Sequence, residues 1–254
     1  MSLTVFLAVT LGFAALTLVT RRRPGLSTAL GVTGLLVAVL AAWSLNPTEL
    51  VAIGQGGLVG SPYARLFLVL GSLVGLGLAV AGVATGTRRD APMATLATLG
   101  IAGLTLTLAD PRTAVAAATA GGFFGVWLTI APGEDRMGAT LGVRELRAVV
   151  IAGAMAIAAT AWIGRDLTQL AAQPVVFGLA YLAFALAVAV RFGAIPFHLW
   201  AARLTDAAPE TALPIITVLA PASLAIVALA WNDASIAPLL VDLEPERMVV
   251  LAVA

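Results

Sequence analysis

Eight separated runs of mostly apolar residues constrain this chain more than any other feature. They lie at about 3–20, 25–44, 63–86, 92–109, 112–131, 148–163, 175–197 and 211–231. A membrane-crossing helix needs about 20 predominantly apolar residues, and each run approaches or exceeds that length. The runs predict an all-α integral membrane protein with about eight transmembrane helices. A final apolar stretch, Met248 to Ala254, is too short to cross and reads as the opening of an incomplete ninth helix.

Composition agrees and excludes several classes. Of 254 residues, 61% are apolar and 11% charged, against about 45–50% and 25% in a soluble domain. Fourteen basic and thirteen acidic residues leave a net charge of +1, so the broad basic face of a nucleic-acid binder is missing. There is no cysteine and a single histidine, His198, which removes thiolate metal sites, iron–sulfur clusters and bis-histidine ligation. No metal or cofactor is expected. Every basic residue is arginine, so a P-loop and a Schiff-base lysine are also excluded.

Charge placement predicts orientation. Nine arginines (Arg21, Arg22, Arg23, Arg88, Arg89, Arg136, Arg144, Arg147 and Arg203) follow the odd-numbered runs, while four (Arg65, Arg112, Arg165 and Arg247) follow the even ones. The positive-inside rule puts the larger set in the cytoplasm and the N-terminus outside, in a multi-pass protein of the cell membrane. The first apolar run has no basic leader and is read as a retained helix. Trp43, Trp127, Trp162, Trp200 and Trp231 fall near expected helix ends, where indoles prefer the interface. Gly71 and Gly75, Gly82 and Gly86, and Gly121 and Gly125 have the spacing that lets helices approach closely, most simply for internal packing. Gly54 to Gly60 reads as an extracytoplasmic loop.

By this reading all thirteen carboxylates fall in or beside loops, and one ionisable residue, Arg191, lies inside a span. Intramembrane charge is expensive and is by default functional. Pro196 should kink or break the seventh helix near it, leaving Arg191 beside freed carbonyls in a polar pocket. The plainer alternative is a snorkelling arginine. His198 could shuttle protons or be simply structural.

The run from Arg191 to Ala222, RFGAIPFHLWAARLTDAAPETALPIITVLAPA, resembles the antiporter-like, proton-translocating subunits of respiratory complex I, shared with Mrp antiporters and membrane-bound hydrogenases. Pro196, Phe197, His198 and Trp200 match that family's specific block, and Ala208 and Pro209 its following turn. Tyr63 to Leu76 looks like its third helix and Asp110 like the acid that opens its fifth. Subunits N and M are the most similar members. The resemblance implies three leading helices over 1–90, a first antiporter-type repeat with a broken seventh helix over 91–232, and a loop with the start of the ninth helix over 233–254. It also implies other membrane subunits of a multi-subunit complex as partners, one of them covering the apolar face that a repeat without its mate exposes.

Three departures bear on function. The resemblance implies a glutamate near Thr119, a lysine at Arg191 and a lysine at Pro221. Threonine carries no charge, Pro221 lacks even a backbone donor, and arginine does not release its proton inside a protein. The first expectation is therefore a non-catalytic membrane-arm subunit with a degenerate proton relay, acting as scaffold, with Asp206 or Glu210 pairing Arg191. An active proton or cation/proton antiporter subunit is the alternative. A membrane partner of a carbon-uptake complex is a further one, and a stand-alone membrane enzyme is the poorest fit.

Overall fold

The computed structural model describes residues 2–53, 56–86, 91–130, 136–163, 174–194, 197–201, 204 and 213–240. Eight α-helices occupy them: α1 (Leu3–Val19), α2 (Pro24–Trp43), α3 (Pro62–Thr85), α4 (Ala91–Thr107), α5 (Pro111–Ile130), α6 (Arg136–Ile163), α7 (Pro174–Phe192) and α8 (Ala220–Leu240). Within the described residues, Leu3–Arg22, Pro24–Trp43 and Pro62–Thr85 are long and apolar enough to cross a membrane. The expected ninth helix lies outside the described residues.

Helix α4 is the hub. Pro92 to Gly100 are buried without interruption, as expected of a helix apolar on all sides. It packs against α1, α3, α5 and α8. One apolar cluster joins α1, α2 and α3 to α4 through Phe6, Leu35, Leu68, Leu96 and Leu99. A second joins α4 to α5–α8 through Ala94, Val115, Phe184, Ile216 and Leu224. Small residues set the spacing. A Cβ on Gly75 would lie 2.5 Å from Thr95 Cγ2, and one on Gly34 2.7 Å from Phe13. Several buried threonines return their hydroxyls to the preceding turn, as Thr10 does to the Phe6 carbonyl at 2.9 Å and Thr160 to that of Ala156 at 3.0 Å. In an apolar bundle this satisfies the hydroxyl without a partner helix.

Several expectations change. The Gly54–Gly60 segment contains a strand, not only a loop: β1 (Leu50–Ile53) pairs antiparallel with β2 (Gly56–Val59), Leu50 opposite Val59 and Ile53 opposite Gly56. Pairing gives partners to backbone groups held at the end of an apolar bundle. Gly57 also accepts the Ala109 N–H at 3.1 Å, tying the hairpin to the start of α5. Gly60 sits where a Cβ would meet the Asn46 carbonyl oxygen at 2.8 Å. Gly86 does not pack helices with Gly82; at φ 69° it ends α3 in the left-handed conformation. Trp231 is no interfacial anchor, since α8 continues beyond it and its ring is buried 5.3 Å from that of Phe184.

The hairpin end carries an anionic clamp on α1. Glu49 accepts the Ser2 hydroxyl at 2.5 Å and the Leu3 N–H at 2.7 Å, satisfying a free donor of the first turn where the helix dipole favours negative charge. The Ser2 hydroxyl, then the Leu3 amide, hold the Glu49 carboxyl below its ordinary value of 4.5. A depressed folded-state value adds stability above the unfolded value and loses it as pH falls through the folded one. Melting of the purified chain should therefore fall slightly between pH 5 and lower values, roughly where carboxylates protonate. Glu49→Gln should remove part of that acid dependence while leaving pH 7–8 behaviour nearly flat.

Candidate functional site

Helix α7 ends sooner than its apolar run suggests. Gly193 takes φ 63°, its N–H donates to the Val190 carbonyl at 3.2 Å, and the Ala194 N–H donates to that of Ala189 at 2.9 Å. These two bonds make a Schellman cap. Where a kink or break at Pro196 is expected, the helix instead ends at Gly193; Pro196 lies outside the described residues. Arg191 thus stands in the last turn of α7 rather than deep within a longer span. The carbonyl end of a helix favours a cation there. Its side chain is 4% exposed, so snorkelling to water does not describe it.

The acid beside it is Glu145, not expected inside the bundle. Helix α6 begins at Arg136, twelve residues before the anticipated 148, and this carries Glu145 into the interior, where it is 0% exposed. Glu145 acts on Arg191 as an opposite charge. Two other elements shape its surroundings. A Cβ on Gly125 of α5 would lie 2.7 Å from Glu145 Oε1 and 3.7 Å from Ile216, so the carboxylate sits where α5 has no side chain. Ile216 belongs to a π-helical turn, Ile215–Leu219, that precedes α8. Such widened turns are frequent at functional sites. Pro221, two residues beyond it, cannot donate a backbone hydrogen bond.

A sequence signal for Glu145 exists. Leu141, Glu145, Ala148, Val149 and Ala152 are all buried, while Val143, Arg144, Arg147 and Val150 are exposed. The first set has the i, i+4, i+7, i+8, i+11 spacing of one helix face. Charges at Arg136, Arg144, Glu145 and Arg147 depress the local hydropathy and hide this amphipathic turn from a search for continuous apolar runs.

Depth follows from helix arithmetic. Gly125 lies five residues from the end of α5 and Arg191 one residue from the end of α7. At about 1.5 Å per residue, the charges lie roughly 8 Å or less inside those helix ends, shielded by protein near one end of the bundle.

Other expected site residues are placed differently. Thr119 lies on α5, six residues before Gly125. Its hydroxyl donates to the Val115 carbonyl at 2.8 Å, and its side chain fills the space beside Gly153 of α6, where a Cβ would lie 2.5 Å from Thr119 Cγ2. It is a packing residue of the α5–α6 contact. His198 is exposed on a 3₁₀ turn, Phe197–Trp200, that packs against α6 and α7. Asp110 opens α5, accepting the Thr113 N–H at 3.3 Å. Asp206, Pro209 and Glu210 lie outside the described residues, as do the side chains of Phe197 and Trp200.

Among the described residues the site holds one acid that can change charge and one cation that keeps it. Among the described residues no group of three or more histidines, cysteines or carboxylates could hold a metal ion.

No protein-family model and no curated protein matches the sequence. The fold has solved counterparts. One is a chain in the structure of the membrane-bound sulfane sulfur reductase, an archaeal respiratory membrane complex, at TM-score 0.69 and 17% identity, over 88% of this chain and 52% of that one. This chain thus spans about half the length of its structural counterpart. At that identity the likeness is one of fold: a multi-helix bundle of the kind found in a respiratory membrane complex.

Proposed function

We propose that the chain is a membrane-arm subunit of a redox-driven, complex I-like assembly, similar to subunits N and M, and that its Glu145–Arg191 pair is a titratable element of proton movement. The buried acid beside Arg191 carries this reading. The expected degenerate relay rests on Thr119, Pro221 and the fixed charge of Arg191; Glu145 adds a buried acid to that set. An intramembrane carboxylate next to a fixed cation is suited to take up and release a proton, whereas arginine alone is not. The shared fold with a respiratory membrane complex supports the setting.

The scaffold reading retains one specific support. Thr119 and Pro221 stand where the resemblance implies titratable groups, so any route through this chain has fewer stations than its relatives. Proton uptake into vesicles containing the full chain, driven by a potassium diffusion potential and followed with a trapped pH dye, separates the two. Expected are flux in the parent, flux in Arg191→Lys, and loss to the leak of empty vesicles in Glu145→Gln and Arg191→Leu. Parent vesicles no leakier than empty ones favour the scaffold.

A further inference from the structure

A second feature lies on the other side of α5 and is independent of the charge pair. A cavity of about 520 Å³ runs between α1, α4 and α5, lined by Leu11, Leu18, Ala97, Phe123, Trp127 and Arg21, among others. Its wall is apolar except at one end. Arg21 stands there in the 3₁₀ turn Thr20–Arg22 that closes α1, exposed beside Arg22 and Arg23. Trp127 lies three residues from the end of α5 and Met93 two from the start of α4, so both are level with that end. Leu11, Leu18 and Phe123 are partly open to the surroundings, at 40%, 43% and 46% exposure.

We propose that this groove is a binding site for one anionic phospholipid, an acyl chain lying between α1 and α5 and the phosphate on Arg21. Three observations favour this occupant. From Leu11 to Arg21 is ten residues, about 15 Å of helix, which is the hydrocarbon depth of one leaflet of a roughly 30 Å core. The cavity, at about 520 Å³, falls in the roughly 300–1,000 Å³ range of small-ligand sites. Its charged mouth, an arginine backed by two more and flanked by an indole, complements a lipid phosphate at headgroup level. A zwitterionic lipid would fill the same groove while gaining less from the three positive charges.

The experiment is a titration of the purified full chain in neutral detergent with dioleoylphosphatidylglycerol and with dioleoylphosphatidylcholine, bound lipid being counted by native mass spectrometry. The anionic phosphatidylglycerol should bind several-fold more tightly. Arg21→Gln, at an exposed position, should cut that preference by about fivefold. Ala15→Phe, at another exposed position lining the groove, should weaken both lipids together. Equal affinity of the parent for the two lipids would overturn the proposal. So would an unchanged preference in Arg21→Gln, or undiminished binding in Ala15→Phe, which would mark the lipid as annular.

Discussion

Glu145→Ala should lower the unfolding free energy of the purified chain by about 3–5 kcal/mol, because it takes an opposite charge away from the buried Arg191 guanidinium. Arg191→Leu should cost less. An orphaned carboxyl can neutralise by taking up a proton, whereas an orphaned guanidinium cannot. The double variant Glu145→Leu with Arg191→Leu should recover most of the loss, since replacing a buried ion pair by apolar groups of similar volume is often neutral or stabilising. Equilibrium unfolding in mixed micelles checks all three. If the two single losses simply sum in the double variant, the residues are energetically independent and the pair is not a unit.

Gly125→Ala should destabilise by about 1–3 kcal/mol, the usual cost of overpacking. The added methyl would lie 2.7 Å from Glu145 Oε1. Glu145 is fully buried, so relief requires moving its carboxylate within the interior or separating α5 from α6. The context dependence is the sharper test. In a Glu145→Ala background the obstructing oxygen is gone, and the same glycine substitution should cost little. The same unfolding measurements, made on the four-variant cycle, read this out. An identical cost in both backgrounds would show that Gly125 answers to Ile216 or to backbone packing instead.

These two results depend on residues that differ in how plainly the sequence displays them. Gly125 is visible as half of a GxxxG spacing with Gly121, but that spacing does not say what lies opposite. A Cβ on Gly121 would meet Ile101 of α4 and one on Gly125 the Glu145 carboxylate of α6, so one motif serves two neighbours. Glu145 is half visible, through the helical period of its apolar companions. Its neighbours Arg144 and Arg147 pull the local average toward a loop. Arg191 is fully visible as a charge amid apolar residues. Its partner is not, because 46 residues separate the two and only the packing of α6 on α7 brings them together.

By itself the sequence determined the class, an all-α bundle of apolar helices. Apolar runs of bilayer length must become helices, since their backbone groups have no water to turn to, and each run from Leu3 to Trp231 overlaps a helix of the bundle, with shifted ends at α6, α7 and α8. The hairpin at Leu50–Val59, the burial of Trp231 and the meeting of Glu145 with Arg191 were decided by tertiary structure. Hydropathy measures how a residue partitions between water and lipid, and it is blind to a third environment, the protein interior. There a carboxylate can be buried within the field of an arginine, in the space a single glycine leaves open.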